Sequence, residues 1–171
     1  MKPMDKYQGG HWTKIRRLPY LVAMGMEGAG RSGIAGSARE RQAMVQSLVE
    51  GGKLYPDNEI IQAIIPKGTE EKELLMAAAE QHDEILNCLH DKDIQDNRGL
   101  QKHLFNVLVI VLGVLSTREK PEQVGEYKNW LLRIAENVAN AGKEGDFMGI
   151  GGERFSQEER DFYTTLEERL G

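Results

Sequence analysis

The residues best suited to chemistry fall in two glycine-rich stretches, a run of histidines beside carboxylates, and a single thiol. The first stretch, Gly28-Ala29-Gly30-Arg31-Ser32-Gly33, has the G-x-G-x-x-G spacing. It follows the apolar segment Leu18–Met26, precedes a helical pattern, and has Glu50 about 20 residues beyond. That is the outline of a dinucleotide site, where glycines let a pyrophosphate approach the backbone at a helix N-terminus and the acid holds a ribose. Such a site also needs a parallel sheet, and nothing after residue 52 alternates strand with helix. The series, extended by Gly25 and Gly36, therefore reads as a close-packing or flexible connection between helices. An anion site at the N-terminus of the following helix is the remaining functional reading.

The second stretch, AGKEGDFMGIGGERFS, holds Gly142, Gly145, Gly149, Gly151 and Gly152. It lacks the order of a P-loop, and Asp146 lacks the alternating acidic partners of a calcium loop. Two readings remain. One is a compact loop that tucks Phe147, Met148 and Ile150 inward while its glycines make the turns. The other is a ligand or partner site built from Gly149, Gly151, Gly152 and Arg154, with Arg31 contributed by the first glycine stretch.

His82-Asp83-Glu84, His90-Asp91 and His103 offer metal-ligand side chains. Eight residues of helix turn about 800°, so His82 and His90 stand about 80° apart in rotation. No H-E-x-x-H or Glu-x-x-His pattern repairs that spacing, and these residues read as surface and helix-capping groups. No metal and no cofactor is expected. Cys88, beside Leu89 and three residues from Ile85, reads as a structural thiol near a buried face. Glu70/Glu71 and Glu158/Glu159 sit in first helical turns, where the helix dipole accounts for them. Trp130, next to Leu131, reads as a packing residue. No catalytic residue is assigned.

The elements that position these groups are helical. Pro19 suits a first helical turn ahead of Leu21, Val22 and Met24. A second helix spans about residues 37–50 and stops at Gly51-Gly52. Asp57 or Asn58 caps a short helix over 59–65, ended by Pro66. The next opens at Thr69 with Glu70, Glu71 and Glu73 in its first turn. A helix over about 94–116 carries the run Leu104–Leu115, apolar almost all round, which places it in the middle of a bundle. From Pro121, Val124, Tyr127, Leu131, Ile134 and Val138 step by 3 and 4 as one seam, ending near Gly142. Ser156-Gln157-Glu158-Glu159 is a capping box ahead of Phe162, Leu166 and Leu170. The expected fold is an all-α antiparallel bundle of three long helices between residues 69 and 142, with shorter helices packed around it.

Composition agrees with one such domain. The chain has 171 residues, 40% of them apolar and 29% charged, with one cysteine, so an internal disulfide and a multi-thiolate zinc site are excluded. The net charge of −5 excludes nucleic-acid binding that relies on overall positive charge. Charge is uneven: residues 1–60 hold 9 basic and 6 acidic side chains, and residues 61–171 hold 13 and 21. Residues 1–17 are expected to form a flexible basic arm ahead of a single helical domain over 18–171. The arm could dock on an acidic partner, or lie back on the acidic half of its own bundle. Met1–Arg17 has no apolar core of a secretory signal, and the 12-residue run Leu104–Leu115 falls short of the ~20 residues that span a membrane. The expectation is a cytoplasmic protein with no membrane partner.

Two stretches carry a family resemblance. They are Glu126-Tyr127-x-x-Trp130-Leu131-Leu132-x-x-Ala135-Glu136-x-Val138-Ala139 and Lys143-Glu144-Gly145-x-Phe147-x-Gly149-x-Gly151-Gly152-x-Arg154-x-Ser156-x-x-Glu159. Together they resemble the C-terminal signature of an uncharacterised family of small bacterial all-helical proteins. The resemblance covers roughly residues 120–171 and implies an all-α fold and a bacterial source, with no activity to transfer. An acid–glycine turn before a Ser-x-x-Glu helix start is also faintly similar to the tellurite-resistance helical proteins, although the loop here is longer.

For function, the expectation is a non-catalytic bundle acting through oligomerisation or partner binding. The alternative is a small-molecule or metal-binding helical protein, which could be an enzyme, with its site between the two glycine-rich loops. A fully apolar Leu104–Leu115 helix left partly uncovered would favour a homodimer.

Overall fold

A computed structural model of the chain describes residues 3–29, 38–143 and 155–171. Helices α1 (Pro3–Lys6), α2 (His11–Gly28), α3 (Ala38–Leu54), α4 (Glu59–Ile64), α5 (Glu71–Asp91), α6 (Asn97–Arg118), α7 (Pro121–Lys143) and α8 (Gln157–Leu170) make up the described fold. No strand occurs among the described residues. The protein is an all-α bundle.

Where local signals are strong, the helices start as expected. Asn58 caps α4, its side chain accepting from the Ile61 N–H at 3.1 Å. Asp96 caps α6 by accepting from Gly99 at 2.7 Å. Ser156 and Glu159 form the reciprocal capping box of α8. The α7 seam, Val124, Tyr127, Leu131, Ile134 and Val138, is buried along its whole length.

The centre of the bundle differs from the sequence expectation. Every residue of α2 from Leu18 to Gly28 is buried, and the most extensive helix contacts are α2 with α6, α2 with α7, and α3 with α7. The short α2, and not the Leu104–Leu115 helix, is therefore the axis. Its small residues explain why. A Cβ on Gly25 would stand 2.8 Å from the Phe162 ring, and a Cβ on Gly28 would overlap the Asn97 side chain. Neighbours can close on α2 from several sides only because those side chains are missing.

Pro19 lies inside α2 rather than in its first turn. The helix begins eight residues earlier than the proline because Gly9 and Gly10 take φ of 66° and 75°, a left-handed turn that side chains resist. The boundary expected between residues 17 and 18 thus falls within one helix. Tyr7 and Ile15 are core residues. The basic segment lies on the acidic half of its own bundle: Lys6 Nζ pairs with Glu119 at 2.7 Å, the Tyr7 hydroxyl donates to the same carboxylate, and Arg16 reaches Glu84 at 3.3 Å.

Helix α3 continues to Leu54, past the glycines expected to stop it. Gly51 and Gly52 act here by close approach instead. A Cβ on Gly51 would overlap the Trp130 indole, and one on Gly52 would meet Ile65 at 2.5 Å.

Candidate functional site

The ligand-binding residues expected from the sequence, Arg31, Gly149, Gly151, Gly152 and Arg154, lie outside the described residues. Among the described residues, a cleft of about 310 Å³ stands beside Gly28, lined by Asn97, Gln101, Phe105 and Asp161 among others. Asn97 donates from Nδ2 to the Gly28 carbonyl there. Gly28 therefore works in close helix packing, as one of its sequence readings anticipated.

The histidines disperse. His82 is buried, 6% exposed, and not the surface group expected; His90 is exposed in the last turn of α5, and His103 is half-buried on α6. Among the described residues no three His, Cys, Asp or Glu side chains gather in a way that could hold a metal. Burial lowers the pKa of His82, with Asp83 opposing and Arg41 assisting.

Two features stand out once these are placed. The first is the outer face of α6. Its inner face, Leu100, Leu104, Val107, Leu108, Val111 and Leu115, is buried, while Val109 is 60% and Ile110 41% exposed. The exposed positions Lys102, Asn106, Val109, Gly113 and Ser116 step by 4, 3, 4 and 3, the spacing of a coiled-coil seam. A Cβ on Gly113 would meet nothing within 4 Å. The run expected to be buried all round is thus buried on one side only, because α2 takes the axial position. Across all of Asn97–Arg118, α6 is also long and apolar enough, by length and composition alone, to cross a membrane, although its inner face packs as a core helix does.

The second is a cavity of about 330 Å³ between α2, α5 and α6. Leu21, Ile85, Leu89 and Val107 form its apolar wall, with Cys88 beside them; Lys14, Arg17, Lys92 and His103 complete it together with Gly10 and Thr13. Among the described residues no carboxylate lines it. Burial lowers the pKa of His103, and Lys92 and Lys14 lower it further, which favours the uncharged imidazole. Arg17 Nε is buried without an acceptor, while its outer nitrogen stands 3.6 Å from Glu84. Sequence reasoning passed over this site because its polar groups come from two helices and the loop after a third, with no motif linking them.

No protein-family model matches the chain, and no curated protein or solved structure is detectably similar to it. The functional reading therefore rests on these two features.

Proposed function

We propose that the protein is a non-catalytic helical protein that acts through self-association, two copies meeting along the outer face of α6. The exposed Val109–Ile110 pair in the middle of that helix carries this reading. Two adjacent branched apolar side chains left in water gain by burial, at about 25 cal/mol per Å² of apolar surface. Closed homodimers of this kind are twofold, so the same face must fit itself. An antiparallel pairing centred between Val109 and Ile110 meets that condition. It sets Asn106 of one copy against Gly113 of the other, where the missing side chain leaves room for the amide. It also keeps Lys102 opposite Thr117 instead of opposite another cation. A polar residue within an apolar seam fixes such a register at some cost in stability.

Sedimentation equilibrium at tens of micromolar tests the reading. The wild type is expected at twice the chain mass, and Ile110→Lys and Gly113→Leu at the chain mass with an unchanged helical circular-dichroism spectrum. Both substitutions lie on exposed positions, so the fold tolerates them. A monomeric wild type would remove the proposal, and a monomer that co-floats with anionic vesicles would reassign the face to a membrane surface.

A further inference from the structure

The cavity between α2, α5 and α6 is separate from the outer face of α6, and its wall chemistry is one-sided. Lys14, Arg17, Lys92 and His103 reach it, and among the described residues no acid in its lining answers them. Lys92 and Lys14 both stand near enough to His103 for their charges to lower its pKa, beyond the larger effect of burial. Arg17 already leans towards Glu84, but its Nε–H is buried with no acceptor, which leaves a strong donor unused. The N-terminus of α2 adds to the same field. Gly10, as N-cap, has no side chain to receive the first-turn N–H groups, and Gly10, Thr13 and Lys14 all line the cavity. A helix start of this kind favours negative charge.

We infer that this cavity binds a small amphipathic anion, an organic carboxylate with an apolar body of medium-chain size. The carboxylate sits among Lys14, Lys92, His103 and the first turn of α2. The apolar body lies along Leu21, Ile85, Leu89 and Val107. Two lines of argument select this class. At ~30 Å³ per water-sized group, the 330 Å³ of the cavity holds about ten non-hydrogen atoms, the size of a medium-chain fatty acid. Arg17 is shared with Glu84, which leaves Lys14 and Lys92 as the site's free cations beside an apolar wall. Only an anion with a hydrocarbon body covers that wall; a phosphate dianion leaves it bare and loses more hydration on entering.

Isothermal titration calorimetry with octanoate, octylamine, octanol and inorganic phosphate tests the inference on the full chain. Octanoate is expected to bind saturably at one site per chain, and octylamine and phosphate to give no binding. Octanol, which keeps the body and loses the charge, is expected at least tenfold weaker. Lys14→Glu and Lys92→Glu should each weaken octanoate at least tenfold with the helical spectrum intact. Cys88→Trp, which fills the cavity from its half-buried wall, should abolish binding. The Ile110→Lys variant should bind octanoate like the wild type, so the outcome is independent of self-association. Equal binding of octanol or octylamine, equal binding of phosphate, or no heat with octanoate would each overturn the assignment, as would indifference to both lysine substitutions.

Discussion

The Tyr127 hydroxyl on α7 donates a 2.8 Å hydrogen bond to the carbonyl of Ile15 on α2. That carbonyl stands four residues before Pro19, which has no N–H to give it. A proline in a helix interior removes this bond and costs about 3 kcal/mol. Here a buried hydroxyl from another helix replaces the missing donor. Tyr127 itself is fully buried, and burial raises its pKa well above the usual phenol value, so the proton that makes the bond stays in place.

Tyr127→Phe is therefore expected to destabilise the protein by about 1–3 kcal/mol, the cost of a buried carbonyl without a donor. In a Pro19→Ala background, residue 19 regains its N–H and can serve Ile15 directly. The Tyr127→Phe cost should then fall clearly below its value in the wild type. Urea unfolding of the four proteins completes the cycle, and a strictly additive result would show that the hydroxyl does not stand in for the proline.

Gly51→Ala gives a second test. Alanine is the better helix former by roughly 1 kcal/mol, and Gly51 lies inside α3. Yet a Cβ there overlaps the indole of Trp130, which is fully buried and donates from Nε1 to the Ser47 carbonyl at 3.2 Å. Overpacking costs typically ~1–3 kcal/mol, so a net loss of stability is expected, with a changed Trp130 fluorescence. The exposed Gly113→Ala, with open space around it, should be neutral or stabilising in thermal melts of the monomer.

Asn58 is buried, and its two side-chain functions serve different helices. Oδ1 caps α4 through Ile61, while Nδ2 donates to the Gln123 carbonyl at 3.0 Å and to Glu126 at 2.8 Å. Asn58→Ala should cost about 2–3 kcal/mol. Asn58→Asp keeps the cap and sets a carboxylate against Glu126. Its loss of stability should shrink as the pH is lowered and one acid takes up a proton, which chemical denaturation across pH would show.

The stability of the wild type should itself fall as pH drops below about 6.5. His82 is buried, its Nε2 has no partner, and its pKa is lowered, first by burial. Between the folded pKa and the unfolded value near 6.5, the unfolded chain binds more protons, so stability decreases with falling pH. The loss begins at the unfolded value and levels off below the folded one. His103 is shifted in the same direction and adds to the slope. His82→Leu should flatten part of the dependence, and an unchanged slope in that variant would show that His82 does not cause it.

Much of the local structure was legible without coordinates. Ser156 with Glu159, Asn58 before an apolar turn, and the α7 seam all act through neighbours within about four residues, so their geometry follows from the helix itself. The tellingly misplaced features involve approach between distant segments. Pro19 reads as a helix start until Tyr127 is known to reach Ile15. Gly51-Gly52 read as a stop until Trp130 and Ile65 are found against them.

The same division separates composition from position. The sequence by itself determined that the chain is all-helical, which residues start several of its helices, and that Leu104–Leu115 carries more apolar surface than one helix face needs. Only the tertiary structure decided that α2 takes the axis. Gly25 and Gly28 let its neighbours close in, while Lys102 and Asn106 mark the side of α6 turned to water. That choice leaves Val109 and Ile110 exposed and brings Lys14, Lys92 and His103 around one cavity. Helix periodicity sets which residues share a face, but the neighbour that each face meets depends on how side chains from all the helices fit together.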